Sequence, residues 1–488
     1  TGSDVRVVPP SPQPFSYVSF SPDGNYLFYI HREHESGSGY ASLFQVPTLG
    51  GAPRKIIFDV DTSVSFSPDG ARLVFGRGML PEGKNALVIA NADGSGERVL
   101  LKVPRYFSVR PPAWSPDGTK IAWPVVVLEG GFHTDLLIVD PSSGAARPHS
   151  GRWRWIESIA WLPDGSGIVV IAARTEQARN QIWIQPHPDG DARRVTNDLN
   201  DYADVSLTAD GRTMLTRRLE QMNQLMIAEP SDEGGGSVLS AATADQTPMQ
   251  LAVAATGAVA YSIEHENGVD IAILDAPGAT PRVLTRDGKS AYPSISDDGK
   301  TIAFQSWRTG DIAHVYAMDA DGTNLHQLTQ GKGEIFPGLT PDGTEAFYMS
   351  VAGELWRAPV AGGEPRKVVD RVSSFAVDAK RLAYTHWTKG ARSEGRLAIR
   401  SLDSAENEAD VPFPRAGVLL RWSPSGLTFF AGGTTSQIAR LSDDRTTAVP
   451  LTRFRSGVIS SFDWTADGKL VMARGERRAD VVLISGFR

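Results

Sequence analysis

One turn recurs along the whole chain and constrains its fold more than any other feature. It reads Pro-Asp-Gly in five copies and a variant of this sequence in the others, and its last residue falls at eleven positions that lie 36 to 48 residues apart. These positions are Gly24, Gly70, Gly118, Gly165, Gly211, Gly257, Gly299, Gly343, Ala379, Gly426 and Gly468. Glycine permits the left-handed backbone that a tight hairpin turn requires. The chain is therefore one structural unit repeated eleven times.

A second landmark supports the same alignment, because the residue four positions before each turn end is always bulky and apolar. The eleven residues are Phe20, Phe66, Trp114, Trp161, Leu207, Val253, Ile295, Leu339, Phe375, Trp422 and Trp464. A surface loop would not conserve this character, whereas a strand packed between two neighbouring sheets requires it. Each repeat reads as four short strands separated by turns. The pattern predicts an all-β protein, a β-propeller of four-stranded antiparallel blades.

The landmarks also give the limits of the blades. We expect blades to start near residues 16, 63, 110, 157, 203, 249, 292, 336, 373, 418 and 460. Residues 4–8 have strand character ahead of the first blade, and three strands but no fourth follow residue 460. Because exposed sheet edges are a liability, we expect residues 1–10 to close the last blade as a composite of both termini.

The number of blades leaves the arrangement of rings open. Propellers typically have four to eight blades, so eleven repeats favour two propellers that share one chain. The alternative is one large ring with a wide central channel. The division could lie near residues 229–250, where residues 229–240 are polar and Gly-rich, or near residues 368–378. Residues 229–240 can equally be read as a loosened hairpin within a blade.

Composition narrows the classes of function. The 488-residue chain has a formal charge of −7, whereas nucleic-acid surfaces are normally basic, so we expect no nucleic-acid partner. No apolar run reaches the roughly 20 residues of a membrane span, and no signal peptide opens the chain. The absence of cysteine excludes disulfides and thiolate metal sites. Because the first residue is Thr, we expect a mature or excised fragment, which a missing N-terminal segment could tether to a membrane.

The repeats resemble a known family. The Ser-Pro-Asp-Gly turn, the Trp307-Arg-Thr-Gly310 loop and the Met318-Asp-Ala-Asp-Gly-Thr-Asn324 hairpin resemble TolB-type, WD-like bacterial propeller repeats across essentially the whole chain. Residues 43–54, 90–98, 193–204 and 479–488 resemble the C-terminal propeller region of bacterial transmembrane serine/threonine kinases and of winged-helix regulators. This resemblance implies a sensing or interaction module outside the cytoplasm, in the periplasm, although it leaves a cytoplasmic location open.

Motifs for catalysis and metal binding are weak in this sequence. No Gly-x-Ser-x-Gly nucleophile elbow occurs. His31 and His34 lie three residues apart in a loop, and Glu264-His265-Glu266 offers no set of three or four converging zinc ligands. Asp319-Ala-Asp-Gly322 resembles the start of a calcium loop but lacks the distal bidentate Glu, and a hairpin explains it fully. We therefore expect no catalytic residue, no metal site and no cofactor, with calcium as a minor alternative.

Candidate binding residues lie where the loops vary. Loops between the second and third strands, and between the fourth strand and the next first strand, open on one face of a propeller; we call it the long-loop face. Arginine and aromatic residues are enriched where proteins bind partners. The ligand- or partner-binding candidates on this face are Arg110, Trp153, Arg154, Trp155, Tyr202, Tyr292, Trp307, Arg308 and Phe336. For Tyr202, Tyr292 and Phe336 the alternative is that each ring fills a gap before an inner strand.

Three functions remain open from the sequence. The first is a non-catalytic sensing module that binds an unidentified protein, peptide or small molecule on the long-loop face. The second is a propeller enzyme of the lyase or glycosidase type, in which Glu129, His133, Glu264 or His265 would converge in a central pocket. The third is a scaffold for protein assembly. The sequence favours the first because no assembled catalytic motif is recognisable.

Overall fold

The protein is built from β-strands in a computed structural model. The structure describes residues 7–8, 15–32, 40–79, 82–104, 110–127, 133–174, 179–198, 200–240, 247–265, 268–310, 312–388, 395–404, 406–413, 419–430 and 437–487. These residues form 41 strands and no α-helix. None of them belongs to a helix that could cross a membrane. The chain divides into two compact units, Thr1–Leu219 with Ala479–Arg488 (unit 1) and Glu220–Arg478 (unit 2).

Unit 1 contains four antiparallel sheets of four strands each, with the strands in chain order, and one further sheet. Sheet 1 is β1 (Ser16–Phe20), β2 (Tyr26–Arg32), β3 (Ala41–Pro47) and β4 (Arg54–Phe58); sheet 2 is β5 (Ser65–Phe66), β6 (Arg72–Met79), β7 (Lys84–Asn91) and β8 (Arg98–Pro104); sheet 3 is β9 (Ala113–Trp114), β10 (Ile121–Val127), β11 (His133–Val139) and β12 (Ala146–Pro148); sheet 4 is β13 (Trp155–Trp161), β14 (Gly167–Ala173), β15 (Gln181–Pro186) and β16 (Arg193–Arg194). Sheet 5 is β17 (Asp201–Leu207), residues 213–219 of β18 (Thr213–Ala228) and residues 479–485 of β41 (Leu470–Ser485).

Unit 2 contains six sheets of four strands. Sheet 6 is β20 (Thr247–Val253), β21 (Val259–His265), β22 (Gly268–Leu274) and β23 (Arg282–Val283); sheet 7 is β24 (Ser290–Ile295), β25 (Thr301–Ser306), β26 (His314–Asp319) and β27 (His326–Gln327); sheet 8 is β28 (Glu334–Leu339), β29 (Glu345–Ser350), β30 (Leu355–Pro359) and β31 (Arg366–Val369); sheet 9 is β32 (Val372–Val377), β33 (Arg381–Trp387), β34 (Gly395–Ser401) and β35 (Ala409–Pro412); sheet 10 is β36 (Leu420–Ser423), β37 (Gly426–Phe430), β38 (Ile438–Leu441) and β39 (Ala448–Pro450). Sheet 11 is β40 (Val458–Trp464), residues 470–478 of β41, residues 220–228 of β18, and β19 (Ser237–Ser240).

The repeated turn folds as its residue types require. In the turn that joins β28 to β29, the Thr340 hydroxyl donates to Oδ1 of Asp342 at 2.6 Å, and the N–H of Thr344 donates to the same oxygen at 3.1 Å. Gly343 closes the turn with a φ of 71°, which suits glycine. The hydrogen bond from Thr340 is the main reason that the pKa of Asp342 is lowered. The Ser/Thr-x-Asp-Gly sequence is therefore a hydrogen-bonded hairpin turn.

Unit 2 is a closed ring of six sheets, a β-propeller. Apolar clusters lie at every junction between consecutive sheets, including the junction of sheet 11 with sheet 6, where Leu251 and Val259 pack against Val471 and Ala473. Two hydrogen bonds join the same two sheets. The N–H of Leu251 donates to Ser461 Oγ at 3.2 Å, and the N–H of Val253 donates to Asp463 Oδ2 in β40. The prediction of antiparallel propeller blades is confirmed.

Unit 1 is a series of consecutive sheets. Apolar clusters lie between sheets 1 and 2, 2 and 3, 3 and 4, and 4 and 5. Among the described residues no such cluster joins sheet 5 to sheet 1. Phe20 of β1 is 59% exposed and Leu483 of β41 is 71% exposed, whereas the equivalent inner-strand residues Trp114 and Trp161 are buried. Phe20 therefore departs from the burial expected at its repeat position, because its sheet is the first of the series.

The fifth and eleventh repeats differ from the prediction because they are joined through two long strands. β18 and β41 are hydrogen-bonded neighbours and contribute to both sheet 5 and sheet 11. Each strand has 16 residues. Both strands continue without a loop across the unit boundaries, at residues 219–220 in β18 and 478–479 in β41. Gly475 permits this approach, since a Cβ atom there would lie 1.7 Å from the carbonyl oxygen of Met222.

This pairing changes two sequence predictions. The chain passes between the units within strands, whereas the predicted divisions near residues 229–250 and 368–378 both lie inside unit 2. Residues 229–236 form the hairpin between β18 and β19. The sheet that holds β40 and β41 contains β18 and β19 from the middle of the chain, in the place where the sequence predicted a strand from residues 1–10. Residues 1–6 and 9–10 lie outside the described residues.

Candidate ligand-binding channel

Unit 2 contains a cavity of about 1050 Å³ along the centre of its ring. The first strand of every sheet contributes to its wall, so that all six blades line it. At one repeat position, five residues before the turn end, every residue of unit 2 faces the cavity: Ala252, Ser294, Gly338, Ser374, Arg421 and Asp463. The volume lies at the upper end of the range of typical ligand pockets. This channel is the candidate site.

An aromatic pair lies where the inner strands of sheets 7 and 8 begin. The rings of Tyr292 and Phe336 meet edge to face, with their centroids 4.7 Å apart. Both residues have positive φ, 55° and 53°, and each precedes a proline at a bulge in its strand. The same positive φ recurs seven residues before the turn end at Tyr17 and Asp204, so it is a feature of the bulge in the inner strand. The bulges direct two neighbouring aromatic side chains into the channel.

Neighbouring blades hold these bulges in place. The N–H of Tyr292 donates to Ser262 Oγ at 3.1 Å, and the N–H of Phe336 donates to Gln305 Oε1 at 3.0 Å. Both acceptors are buried side chains on the second strand of the preceding sheet. An unpaired backbone N–H in a buried place would cost about 1–3 kcal/mol, so these acceptors stabilise the bulges. Burial also raises the pKa of the Tyr292 phenol.

A charged pair replaces small residues on the wall formed by sheets 10 and 11. The repeat position five residues before the turn end holds Ala, Ser or Gly in nine repeats, but Arg421 and Asp463 in the last two. The guanidinium Nε of Arg421 lies 3.8 Å from Oδ1 of Asp463. Arg421 also donates to the carbonyls of Leu420 at 3.0 Å and Leu251 at 3.4 Å. The channel therefore has one polar, charged wall.

Burial raises the pKa of the Asp463 carboxyl, although a cation and two hydrogen-bond donors lie beside it. The Arg421 guanidinium and the backbone N–H groups of Val253 and Trp464 act in the opposite direction, while the carboxylate of Asp297 adds to the increase. Asp297 lies in the turn after β24 and also faces the cavity. Its own pKa is raised, mainly by burial and also by the adjacent Asp298. The channel thus runs from an aromatic end to an end with two carboxyls.

A second arginine at this end is already paired. Arg381 donates to Oδ2 of Asp378 through Nε at 2.9 Å and Nη2 at 2.7 Å. Its guanidinium lies 3.9 Å from the centroid of the Trp422 ring. A planar guanidinium that is both bidentate and stacked is fixed in place. Arg381 therefore shapes the wall of the channel.

The structure places the nine sequence-predicted residues in different surroundings. Tyr292 and Phe336 line the channel of unit 2. In unit 1, the Arg110 guanidinium lies 3.9 Å from the Trp155 ring centroid and 3.3 Å from Glu157 Oε2, which also accepts from Trp155 Nε1 at 3.0 Å. Burial lowers the pKa of Arg110. These three side chains of unit 1 contact one another, although Arg110 Nε is buried without a hydrogen-bond partner among the described residues.

Four other predicted residues are engaged within the fold. Trp153 is completely buried beneath Arg174, whose guanidinium lies 3.8 Å from its ring. Trp307 is buried in an apolar cluster with Ala291 and Ala313. The arrangement leaves no ligand access to either indole, because the neighbouring side chains already cover them.

Tyr202 and Arg308 also form contacts with other side chains of the fold. Tyr202 is buried, and its hydroxyl donates to Asp198 Oδ2 at 2.7 Å; burial and this hydrogen bond raise the pKa of Tyr202 to about 12. Arg308 pairs with Asp287 at 3.0 Å and donates to Ser290 Oγ at 3.1 Å. Arg154 is half-buried, and its backbone N–H donates to the carbonyl of Ala173 at 3.0 Å.

The residues considered for catalysis or metal binding are dispersed. His133 belongs to unit 1, whereas Glu264 and His265 belong to unit 2, and Glu129 and His34 lie outside the described residues. His265 Nε2 lies 2.9 Å from Asp270 Oδ2. The calcium-like segment is a hairpin in which Asn324 Nδ2 donates to Asp319 Oδ2 at 2.6 Å. Within the part of the chain that the structure describes, no three His, Cys, Asp or Glu side chains converge as metal ligands.

The sequence interpretation missed the polar end of the channel. Asp297, Arg421 and Asp463 belong to no known motif. One signal could have found them: when the repeats are aligned, these residues are charged at positions that are uncharged in all the other repeats. Comparison of equivalent positions within one chain therefore locates a site that a motif search does not.

Comparison with known proteins gives partial similarities, and no family model matches the chain. A 111-residue segment, 22% of this chain, is 31% identical to Dipeptidyl-peptidase 5 of Porphyromonas gingivalis and covers 16% of that protein. A 104-residue segment, 20% of the chain, is 30% identical to an uncharacterized protein of Agrobacterium fabrum and covers 35% of it. A 201-residue segment, 40% of the chain, is 25% identical to the uncharacterized peptidase YuxL of Bacillus subtilis and covers 28% of it. The matches thus span about a third or less of each relative's length.

Solved structures with similar folds are also distant. TolB from Acinetobacter baumannii is 16% identical, with 70% of this chain and 65% of that chain aligned and a TM-score of 0.35. An oligogalacturonate lyase is 13% identical, with 70% and 88% aligned and a TM-score of 0.33. The tricorn protease is 15% identical, with 97% and 49% aligned and a TM-score of 0.30. These similarities carry no conclusion about activity. The sheet topology itself shows that the chain is a β-propeller repeat protein.

Proposed function

We propose that this chain is a non-catalytic binding module and that the channel of unit 2 takes an extended segment of a polypeptide partner. The observation that carries the proposal is the edge-to-face aromatic pair, Tyr292 and Phe336, at the beginning of the channel. Aromatic side chains are preferred contacts for protein partners. Side chains of the two preceding blades accept hydrogen bonds from the backbone N–H groups of Tyr292 and Phe336, which fixes the strand bulges that carry the two rings.

The length of the channel wall suits an extended chain. Tyr292 and Asp297 both line the cavity, and five residue steps at ~3.3 Å correspond to a length of about 16 Å. An extended peptide of about six residues spans a similar length. Such a segment would contact the aromatic pair and the charged wall at the same time.

The sequence resemblance supplies a setting for this binding. The propellers of transmembrane kinases and winged-helix regulators, which the repeats resemble, suggest a sensing or interaction role. We therefore propose that binding in the channel serves signalling outside the cytoplasm. Fractionation of cells that express the whole natural protein tests the location, and recovery of the propeller in the cytoplasmic fraction contradicts it.

The binding proposal is tested with peptides of simple composition. The probes are pentaalanine, pentalysine and pentaglutamate, and the readouts are thermal shift and isothermal titration calorimetry. We expect at least one probe to raise the melting temperature by mass action. Phe336→Ala should weaken that binding, and Trp387→Ala is the matched control because the two rings are 39% and 38% exposed and Trp387 does not line the cavity. Binding that Phe336→Ala leaves unchanged, no binding by any probe, or steady peptide turnover contradicts the proposal.

A further inference from the structure

Asp297 departs from the repeat that surrounds it. Ten of the eleven turns end in glycine, and the residue two positions before that glycine is proline or alanine in nine of them. These nine residues are Pro22, Pro68, Pro116, Pro163, Ala209, Ala255, Pro341, Pro424 and Ala466. In the remaining glycine-ended turn, which ends at Gly299, this residue is Asp297. The turn therefore forms without an acid at this position, and the carboxylate is not needed for the hairpin.

The backbone of Asp297 is fixed on both sides by neighbouring blades. Its N–H donates to the carbonyl of Pro341 at 2.8 Å, and its carbonyl accepts from the N–H of Thr256 at 3.3 Å. The side chain faces the channel and has no hydrogen-bond or ion-pair partner among the described residues. Asp297 is exposed, so its carboxylate is accessible to a ligand at a defined point on the channel wall.

The nearby arginines do not neutralise the Asp297 carboxylate. Arg421 is held by Asp463 and by two backbone carbonyls, and Arg381 is held by Asp378 and stacked on Trp422. Asp463 is close enough to Asp297 for the two carboxyls to influence each other. The acids that line the cavity (Asp297, Asp378, Glu408 and Asp463) outnumber the cations (Lys380, Arg381 and Arg421) by one, and both arginines are already engaged. This balance favours a cationic ligand group.

We propose that Asp297 receives a positively charged amine of the peptide segment that occupies the channel. This inference rests on the proposed function and adds the chemistry of the ligand: an ammonium group about five residues away from the side chain that contacts Tyr292 and Phe336. The ammonium can belong to a peptide N-terminus or to a lysine side chain. An ammonium group in a partly enclosed site gains from a carboxylate that no protein group neutralises.

Three pentapeptide-scale probes separate the two sources of the amine. They are pentaalanine amide with a free N-terminus, acetyl-pentaalanine amide, and acetyl-tetraalanyl-lysine amide, measured by calorimetry at low ionic strength. We expect at least one of the two cationic probes to bind about tenfold more tightly than the uncharged acetylated probe, a difference of about 1.4 kcal/mol. Preference for the first cationic probe identifies the N-terminus, and preference for the second identifies the lysine side chain.

Asp297→Asn should abolish this preference while leaving the uncharged probe unaffected. Asp297→Ala is the second variant, because alanine occupies the same position in three other turns. Glu364→Gln is the matched control: it removes one carboxylate from an exposed residue of unit 2 that does not line the cavity. Melting curves establish that all three variants are folded.

The possible outcomes separate this inference from the function on which it rests. If Phe336→Ala abolishes binding but both Asp297 variants retain the cationic preference, the channel binds peptides and the role of Asp297 is wrong. A loss of preference in Glu364→Gln that equals the loss in Asp297→Asn also contradicts the inference. If neither Phe336 nor Asp297 variants alter the binding of any probe, both proposals are wrong.

Discussion

The backbone N–H of Val253 donates to Oδ2 of Asp463 at 3.0 Å, across 210 residues of sequence. Val253 ends the inner strand of sheet 6 and Asp463 belongs to that of sheet 11, so the bond joins the first and last blades of the unit 2 ring. In other blades a serine accepts the equivalent bond, as Ser294 does from the N–H of Leu339 at 2.9 Å. Asp463 therefore combines ring closure with the charge of the channel wall.

Replacing Asp463 by Ala should destabilise unit 2 by about 1–3 kcal/mol, because Val253 loses its acceptor and Arg421 loses its counterion. Asp463→Ser, which restores the residue used in other blades, should recover part of that loss. Urea denaturation measures the free energy of unfolding, and hydrogen exchange should show faster exchange in β20 and β40. Equal stability of the Ala variant and the unmodified chain would show that this bond does not close the ring.

Asp59 in unit 1 gives a prediction for pH dependence. Burial and the nearby Asp61 carboxylate raise the pKa of Asp59 to about 6, from an ordinary 3.8. A carboxyl whose pKa is raised by folding contributes stability below pH 4, and that contribution is lost as the pH rises through 6. Asp59→Asn should therefore stabilise unit 1 above pH 7, by on the order of 1 kcal/mol after solvent screening.

Asn suits this position because Asp59 has a φ of 62°, a left-handed conformation that Asn adopts more readily than most residues. Asp204→Asn is the control, since Asp204 has a similar φ of 56° but is exposed. Chemical denaturation between pH 4 and 8 is the measurement. An Asp59→Asn curve parallel to that of the unmodified chain over this interval contradicts the assignment.

Trp464 tests the packing of the inner strands. The indole is buried between sheets 10 and 11, and its Nε1 donates to Thr428 Oγ1 at 2.9 Å. Trp464→Ala should cost about 3–5 kcal/mol of unfolding free energy, as for other buried aromatic residues. Trp464→Phe, which keeps a ring but loses the donor, should cost less. Hydrogen exchange in unit 2 that is unchanged by Trp464→Ala would rule out this packing role.

Binding of a cationic peptide should weaken on acidification. The pKa values of Asp297 and Asp463 are raised, mainly by burial, so these carboxyls take up protons at a higher pH than ordinary aspartates. A protonated carboxyl no longer attracts an ammonium group. Calorimetry from pH 8 to 4 should show a progressive loss of affinity that is smaller in Asp297→Asn, which retains only Asp463 of this pair. A pH profile common to both proteins would argue against the electrostatic account.

The residues of the repeated turn explain why the fold could be predicted. Gly343 and Asp342 mark a hairpin through local chemistry alone, and Trp464 marks a packed strand by its recurrence. The exchange of strands in the fifth and eleventh repeats had no local signal, because β18 and β41 contain no proline or turn at the point where they pass between the units. Pairing between strands so distant in sequence is set by tertiary packing.

The candidate site was only partly predictable for a related reason. Trp153, between two arginines in sequence, suggested an exposed contact, but its structural partner is Arg174, which sequence neighbours do not reveal. Tyr292 and Phe336 were recognisable because they are aromatic residues at loop positions of the long-loop face, where partner contacts were expected. Asp297 was not recognisable, because a single acid in a polar turn resembles any solvated side chain. Its position on the channel becomes visible only when the six blades are arranged around it.

Photo-crosslinking tests the central claim most directly. The probe is pentaalanine amide with one alanine replaced by p-benzoylphenylalanine, applied to the full chain and mapped by mass spectrometry. The account predicts crosslinks within β24 and β28, at or next to Tyr292 and Phe336, that excess unlabelled pentaalanine amide suppresses. Suppressible crosslinks that lie only in unit 1, or only on residues of unit 2 outside the channel wall, would contradict the assignment of the channel as the binding site.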